Sequence, residues 1–436
     1  MSFNSVQRDI TITFLSLNPD TNMSRVEGKG TAAESHGEWR ANARAHLIRA
    51  MNLAVTRDHH PDLVYFQECR RFEAFDGLVD SLTGIQTTLG GAGYQVLVNG
   101  YNDTGDEKAF KYVTAYDPNV FKEEGRCIRY FSRTPDQPTA RPDMSKMSGQ
   151  EAAAALDQVK YNNFGLEWDR GAFIVKLRHK ELADPVYAIN VHLDLPQEHR
   201  LKATELLLQF VVDIVEKEPG AHILLEGDLN TFLDRGGPEQ LEMLRNARYA
   251  DGPLLHEATA DLRLPDGTKA ETTFIAYPYD FMGPQGREMR GTSVGNLVLL
   301  GNGLDELIVR MSDPADRELA TEALSRSREA GFNMQKFLAM LAPPRRKTMI
   351  GLVFGQCAAV GAKLDHLFYR GFERVESCDL LINPLYPEPK IKSFNDDGEV
   401  KNYVLANHDK GPAFLSDHQP ILTKLVCRSD VALVEV

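Results

Sequence analysis

The chain has 436 residues, with 42% hydrophobic and 25% charged residues, and these average values exclude a disordered or fibrous protein. Its formal net charge of −13 argues against an extended basic surface that coats nucleic acid, although positive charge can still be concentrated in a local groove. Length alone would allow two or three domains, but we expect one main domain, because large α/β enzymes often form a single unit with insertions.

The five cysteines are scattered along the chain without CxxC spacing. This usage favours reduced thiols and a cytoplasmic location over a disulfide framework or a zinc knuckle. The first residues lack a basic segment followed by an apolar one, and no stretch reaches the roughly 18 to 20 apolar residues that cross a bilayer. We therefore predict neither a Sec signal nor a membrane span, while other export routes leave no such pattern.

The first part of the chain predicts two strands separated by a helix. "DITITFLSLN" alternates apolar residues with threonines, which is typical of a half-buried strand, and it ends at Asn18. A helix is predicted from about 37 to 57. "PDLVYFQE" then predicts a short buried strand that ends in Glu68.

The same alternation continues in the middle of the chain. "DPVYAINVHLD" predicts a buried strand ending at His192, and "AHILLEGDLN" predicts another ending at Asp228 and Asn230. The segment between them carries an apolar stripe at helical spacing. Strands that alternate with helices and end in polar side chains predict a layered α/β sandwich with a site along one edge.

Two segments have the composition of insertions. Residues from about 132 to 166 begin rich in Pro, Ser and Asp and continue into an Ala-rich helix. Residues from about 278 to 358 include another predicted helix. This segment forms either a helical subdomain or lid, or a simple elaboration of the fold.

Polar residues collect at the predicted strand ends. Singly, acidic and amide residues at such positions are commonly turn formers or helix caps. As a set they supply oxygen ligands for Mg²⁺, histidines for proton transfer and carboxylates that orient those histidines. The set is Asn18, Asp20, Glu68, His192, Asp228, Asn230, Asp365, His366, Asp417 and His418.

Six motifs resemble the endonuclease/exonuclease/phosphatase (deoxyribonuclease-I-like) superfamily in their order and strand context: "SLNPD", "FQE", "NVHLDL", "EGDLNTF", "LDHLF" and "LSDHQPI". The resemblance covers about residues 8 to 276 and 361 to 427, and "GDLN" and "SDHxP" are its more specific parts. It implies a four-layer α-β-β-α sandwich, with two mixed β-sheets packed face to face and a helical insertion. It also implies metal-dependent hydrolysis of a phosphoester.

The resemblance further implies a metal site for Mg²⁺, with Mn²⁺ as the alternative ion. Glu68 would be the principal ligand, with Asn18 and Asp20 close by and Asp417 near both metal and phosphate. One carboxylate with supporting groups suffices, because Mg²⁺ keeps several of its waters.

Carried over in the same way, His418 would be the general base for the attacking water, and Asp365 would fix its tautomer. Asp228 and Asn230 would orient the water and a nonbridging oxygen. His192 would donate a hydrogen bond to the phosphoryl group as negative charge develops.

Arg170, His366 and His199 have less specific signals. Arg170 precedes the strand "GAFIVKL" and is either a phosphate contact or a solvated flank of that strand. His366 directly follows Asp365, so alternation along a strand points it to the opposite face. His199 begins a predicted helix and is expected on the surface.

The substrate is less sharply indicated than the chemistry. The sequences "GDLNTFLD" and "GAKLDHLF" depart from the pattern of inositol polyphosphate 5-phosphatases, and His192 stands where apurinic endonucleases have a tyrosine. We therefore favour a phosphodiester in nucleic acid, with a phosphoinositide, phospholipid or small nucleotide as the alternative and no obligate protein partner. A noncatalytic binding module on the same fold is the hypothesis of another class.

Overall fold

The computed structural model describes the segments of the chain that carry the two sheets and the helices named below. The described residues are 5–18, 59–69, 81–100, 111–137, 146–166, 170–231, 237–263, 304–330, 363–381, 418 and 420–432, with short stretches between 267 and 352.

The strands are β1 (Ser5–Leu17), β2 (Leu63–Cys69), β3 (Gln95–Gly100), β4 (Lys111–Tyr116), β5 (Phe121–Tyr130), β6 (Gly171–His179), β7 (Val186–His192), β8 (His222–Asp228), β9 (Arg248–Tyr249), β10 (Gly252–Pro253), β11 (His256–Glu257), β12 (Asp365–Arg370), β13 (Arg374–Leu380) and β14 (Ile421–Ala432). The helices are α1 (Ser81–Gly91), α2 (Gly149–Asn162), α3 (Gln197–Lys217), α4 (Gly237–Asn246), α5 (Leu304–Val309) and α6 (Pro314–Glu329).

Twelve of these strands form two mixed six-stranded sheets. The first has the order β13-β14-β1-β2-β4-β3, and the second has the order β11-β12-β8-β7-β6-β5. In the first sheet β1 and β2 are parallel, and in the second β7 and β8 are parallel. Each parallel pair lies near the centre of its sheet, so its strands end at the same edge.

The two sheets pack face to face over an apolar core. Phe14 and Tyr65 of the first sheet lie in one cluster with Phe173, Leu224 and Leu367 of the second. All five side chains are fully buried. Alternation along each strand places these residues between the sheets and sends their neighbours to the outer faces.

Helices cover both outer faces. Leu207, Phe210 and Val211 of α3 pack on the second sheet, and Ile85 and Leu89 of α1 pack on the first. The layers therefore run helix, sheet, sheet, helix, and the predicted four-layer α-β-β-α sandwich is confirmed.

Helices are also present in both predicted insertions. Ser148 and Glu151 form a reciprocal capping box at the start of α2, and the Asp313 side chain accepts from the Ala315 backbone at the start of α6. The boundaries of the insertions and the single-domain organisation stay predictions, and the helix predicted at 37–57 lies outside the described residues. Within the described part of the chain, no helix combines the length and apolar character needed to cross a bilayer.

Candidate functional site

Polar side chains from both sheets meet at one edge of the sandwich. His192 is the last residue of β7, Asp228 is the last of β8, and Asp365 is the first of β12. Pairing places His192 and Asp365 directly opposite Asp228 on its two sides. One imidazole and two carboxylates therefore lie in a row across three adjacent strands.

Gly227 allows β7 and β8 to approach closely just before this row. Its φ is +148°, and a Cβ atom there would lie 1.8 Å from the Val191 carbonyl oxygen. We predict that Gly227→Ala destabilises the protein by about 3 kcal/mol, through steric overlap and backbone strain. Urea unfolding would measure the loss, with Gly252→Ala as the control, because a Cβ at Gly252 meets no atom within 4 Å. Equal stability of the two variants would contradict the prediction.

His418 is buried and faces the row from the first sheet's side. Its Nδ1 lies 2.8 Å from Asp365 Oδ2, and its Nε2 lies 3.6 Å from Asp228 Oδ2. A carboxylate accepts but does not donate, so Nδ1 carries the proton toward Asp365. In the neutral imidazole this leaves the Nε2 lone pair directed into the site.

His192 lies between two carboxylates. Its Nε2 is 3.3 Å from Glu68 Oε1 and 3.5 Å from Asp228 Oδ2. Burial, followed by the charges of Arg170 and His418, lowers the pKa of His192 well below its ordinary value. A neutral His192 therefore places an N–H donor, rather than a positive charge, between Glu68 and Asp228.

The backbone at Glu68 turns this carboxylate toward the site. The Gln67 side chain lies between the sheets, where it donates to Asn190 Oδ1 of the second sheet at 2.8 Å. Regular alternation along β2 would therefore point the next side chain, Glu68, to the outer face of the first sheet. Instead Glu68 has a φ of +52°, and the β2–β4 register shifts between Phe66 and Cys69. This left-handed conformation is rare for a residue with a side chain, and it lets Glu68 reach His192.

Asp228 accepts hydrogen bonds from two neighbouring chain segments at the site. Its Oδ2 accepts from Asn18 Nδ2 at 3.0 Å, and its Oδ1 accepts from the Asn230 backbone N–H at 2.8 Å. Burial raises the pKa of Asp228 to about 6, partly offset by the nearby His418. Asn230, which also has a φ of +52°, donates from Nδ2 to the Leu193 carbonyl at 2.7 Å. These bonds tie the ends of β1, β7 and β8 together.

Arg170 supports this edge of the sheet. Its Nε lies 2.7 Å from Asp194 Oδ1, and its Nη1 donates to the carbonyls of His192 and Leu193 at 3.2 and 3.1 Å. The guanidinium therefore holds the chain that follows β7. Contact between Arg170 and phosphate stays a prediction.

The oxygen donors at this edge fit a small divalent cation. Glu68, Asp228 and Asp365 bring three buried carboxyl groups together, whereas the neutral His192 adds no positive charge. Among the described residues, no three acidic, histidine or cysteine side chains form a chelating group by themselves. Mg²⁺ prefers oxygen ligands and keeps several of its waters, so the side-chain oxygens of Glu68 and Asn18 suit a site with few protein ligands. The other two predicted ligands, Asp20 and Asp417, lie outside the described residues.

Two buried polar residues near the site were not predicted as part of it. Glu226 lies two residues before Asp228 on the same face of β8, and burial raises its pKa well above the ordinary value. The prediction that His199 lies on the surface is wrong, because His199 is 2% exposed and its Nδ1 lies 2.9 Å from Asp194 Oδ2. The reason is that the first turn of α3 lies against Asp194, which follows β7, and against Phe164, whose ring is 6.2 Å from that of His199. Alternation from Asp228 could have located Glu226, but no local signal indicates the His199 contact.

Comparison with known proteins supports the fold. No family model matches the chain. An uncharacterized protein of Acanthamoeba polyphaga mimivirus is 20% identical over 205 residues, which are 47% of this chain and 64% of that protein, less than two thirds of its length. An endonuclease/exonuclease/phosphatase family protein from Bacteroides thetaiotaomicron has a TM-score of 0.51 at 13% identity, covering 99% of this chain and 100% of that chain. An endonuclease/exonuclease/phosphatase from Bacteroides vulgatus has a TM-score of 0.49 at 13% identity, covering 95% and 98%.

The architecture and the Bacteroides thetaiotaomicron structure lead to the same conclusion. The chain has the fold of the endonuclease/exonuclease/phosphatase superfamily, and the resemblance carried by the six motifs is confirmed at the level of the fold. Because a fold supports several activities, the reaction has to be argued from the site.

Proposed function

We propose that this chain is a divalent-metal-dependent phosphoesterase that hydrolyses a phosphodiester bond with water activated by His418. The observation that carries the proposal is the 2.8 Å contact between His418 Nδ1 and Asp365 Oδ2. This contact fixes the proton on Nδ1 and leaves Nε2 as the base. A general base must lie within hydrogen-bond reach of the proton that it removes, and Nε2 faces the site beside Asp228.

The attacking water would lie between His418 Nε2 and Asp228. The 3.6 Å separation of these groups is too long for a strong direct hydrogen bond, and both can contact one water molecule. After His418 takes the water proton, Asp365 stabilises the imidazolium through the Nδ1 contact. Asn230 keeps Asp228 aimed at the water through its backbone N–H.

The proposed metal site uses Glu68 and Asn18, with Asp20 and Asp417 as further ligands. Mg²⁺, or Mn²⁺ in its place, would supply Lewis-acid stabilisation of the leaving oxygen. His192 would donate a hydrogen bond from its Nε2–H to a nonbridging phosphoryl oxygen.

A nucleic acid phosphodiester is the favoured substrate. The motif departures noted above disfavour inositol phosphates and apurinic sites. The net charge of −13 implies that a polyanion is held by a few placed cations rather than by an extended basic surface. A phosphoinositide, phospholipid or small nucleotide is the alternative substrate, and a noncatalytic binding module is the alternative of another class.

A metal-supplemented substrate screen tests this proposal. The full chain would be assayed on plasmid DNA, polyadenylated RNA, phosphoinositides, sphingomyelin and phosphotyrosyl-DNA, with His418→Ala as the blank. We expect Mg²⁺-dependent hydrolysis that EDTA abolishes. Equal turnover by the variant would refute the role of His418, and binding without turnover by the wild-type chain would favour the noncatalytic module.

Salt dependence distinguishes the substrate classes. If the substrate is nucleic acid held by about four phosphate contacts, raising salt from about 50 to about 200 mM should weaken binding roughly 100-fold. A small phosphoester should show only a slight change, because it meets few cations. Fluorescence anisotropy with a labelled oligonucleotide and Ca²⁺ in place of Mg²⁺ would measure the slope. A flat salt response would contradict the nucleic acid proposal and leave the phosphoesterase proposal intact.

A further inference from the structure

A buried hydrogen-bond network lies behind the site, on the outer face of the second sheet. Its central residue is His366, which is fully buried. Asp365 faces the site between the sheets, so His366 points to the opposite face, as alternation predicts. Its ring lies 6.3 Å from the ring of Phe368 on that outer face.

One nitrogen of His366 joins two chain segments that carry site residues. Nε2 lies 2.8 Å from Thr231 Oγ1 and 3.1 Å from the Lys363 carbonyl oxygen. Thr231 directly follows Asn230, and Lys363 lies two residues before Asp365. A single ring therefore connects the turn after β8 with the entry to β12.

The other nitrogen of His366 contacts a buried carboxylate. Nδ1 lies 3.0 Å from Glu257 Oε1 on β11, and Glu257 Oε2 accepts from Arg245 Nε of α4 at 2.6 Å. Burial alone would raise the pKa of Glu257, but the contacts from His366 and Arg245 outweigh it and lower the pKa to about 2. Glu257 is therefore ionised and can only accept hydrogen bonds.

The hydrogen-bond partners of His366 determine the protonation of its ring. The Thr231 hydroxyl lies 2.6 Å from the Lys363 carbonyl oxygen, which has no proton, so the hydroxyl proton is donated there. His366 Nε2 then faces two oxygens that can only accept from it, and Nδ1 faces a carboxylate. Both nitrogens must donate, so the ring is an imidazolium.

The other charged groups near the His366 ring each have a hydrogen-bond partner of their own. Arg245 is paired with Glu257. The Lys363 ammonium donates to the Thr259 carbonyl, and the Asp365 carboxylate accepts from His418 on the other face of the sheet. The imidazolium and Glu257 thus form a buried, hydrogen-bonded ion pair.

We propose that His366, held as an imidazolium by Glu257, is a positioning residue that fixes the Asn230–Thr231 turn against the start of β12. This contact sets the distance from Asp228 to His418 and Asp365 without touching the substrate. Its catalytic consequence rests on the function proposed above, whereas its structural part does not. Loss of alignment by about 1 Å can cost roughly 100-fold in rate, so the effect should be measurable.

Kinetics test the catalytic part. His366→Phe keeps a ring of similar shape and removes both hydrogen bonds, and we expect kcat to fall about 10- to 100-fold with KM changed by less than about threefold. Glu257→Gln should also reduce kcat, by a smaller factor. If His366→Phe does not fold, Glu257→Gln takes its place in the test. The matched control is His222→Phe, because His222 is a buried histidine at the opposite end of β8. Wild-type kcat in a folded His366→Phe variant, or an equal loss in the control, would overturn the positioning role.

Nitrogen-15 NMR of the full chain tests the structural part without any activity. At neutral pH both ring nitrogens of His366 should resonate as protonated, with the assignment made from their loss in His366→Phe. An unprotonated ring nitrogen in the wild-type chain would overturn the inference. If the wild-type chain hydrolyses no substrate, the proposed function fails while the NMR result still decides the protonation of His366.

Discussion

His418→Ala is expected to lower kcat/KM for a phosphodiester by about 10³- to 10⁴-fold, the upper part of the range for loss of a general base. The physical reason is that His418 Nε2 faces Asp228 at the site, while Asp365 holds the other ring nitrogen at 2.8 Å and supports the positive charge that the ring gains with the water proton. Binding should change little, because the proposed metal and phosphate contacts involve other side chains. Initial rates on an aryl phosphodiester at saturating Mg²⁺ would measure the loss.

Two controls make the His418 result specific. His256→Ala removes an exposed histidine at the start of β11 and should retain wild-type rates. Added imidazole should restore part of the activity of His418→Ala, because it can enter the vacated space and accept the water proton. Retention of more than about a third of the wild-type rate by His418→Ala would contradict its role as the base.

Glu68→Gln is expected to reduce metal-dependent turnover by about 10³-fold, equivalent to roughly 4 kcal/mol of transition-state stabilisation. The substitution keeps the shape of the side chain and its strained backbone position, and it removes the negative charge that a divalent cation requires. The apparent affinity for Mn²⁺ should fall together with the rate. Electron paramagnetic resonance titration of free Mn²⁺ would follow binding directly.

The matched control for Glu68→Gln is Glu205→Gln on the exposed face of α3, where Glu205 pairs with Lys202. This variant should bind Mn²⁺ as the wild-type chain does. The two variants should differ little in melting temperature if Glu68→Gln acts through the metal. Unchanged Mn²⁺ affinity in Glu68→Gln would contradict the proposed ligand role.

Much of the fold could be predicted from periodicity. β2, β7 and β8 each appear in the sequence as an apolar run that ends in a polar residue, because both faces of a central strand are covered. β1 appears instead as an alternation of apolar residues with threonines that ends at Asn18. The helix between β7 and β8 carries an apolar stripe, because one face packs on the sheet. The division of the strands into two sheets has no such local signal, and the family resemblance was required to imply it. The strand order within each sheet was not predicted and comes from the structure.

The candidate site could be predicted as a set of strand-end residues, but not as a geometry. Asn18 and Asp228 are 210 residues apart in sequence and hydrogen-bond across the sheets, a contact that only tertiary packing determines. The conformation of Glu68 is a further example, because strand alternation alone would point its side chain away from the site. The burial of His199 depends on how α3 packs. The contact of His366 with Glu257 depends on the pairing of β11. Local sequence patterns predict neither of them.

In the proposed function, the ends of strands from both sheets form one metal-assisted phosphoesterase site. A crystal of the full chain with Mn²⁺ and a slowly hydrolysed phosphorothioate diester would show whether metal and substrate bind there. We predict anomalous difference peaks for manganese within coordination distance of Glu68 and for sulfur in the same cleft, with His418 Nε2 facing the bound diester. Manganese elsewhere on the protein, or a diester out of reach of His418, would contradict the account.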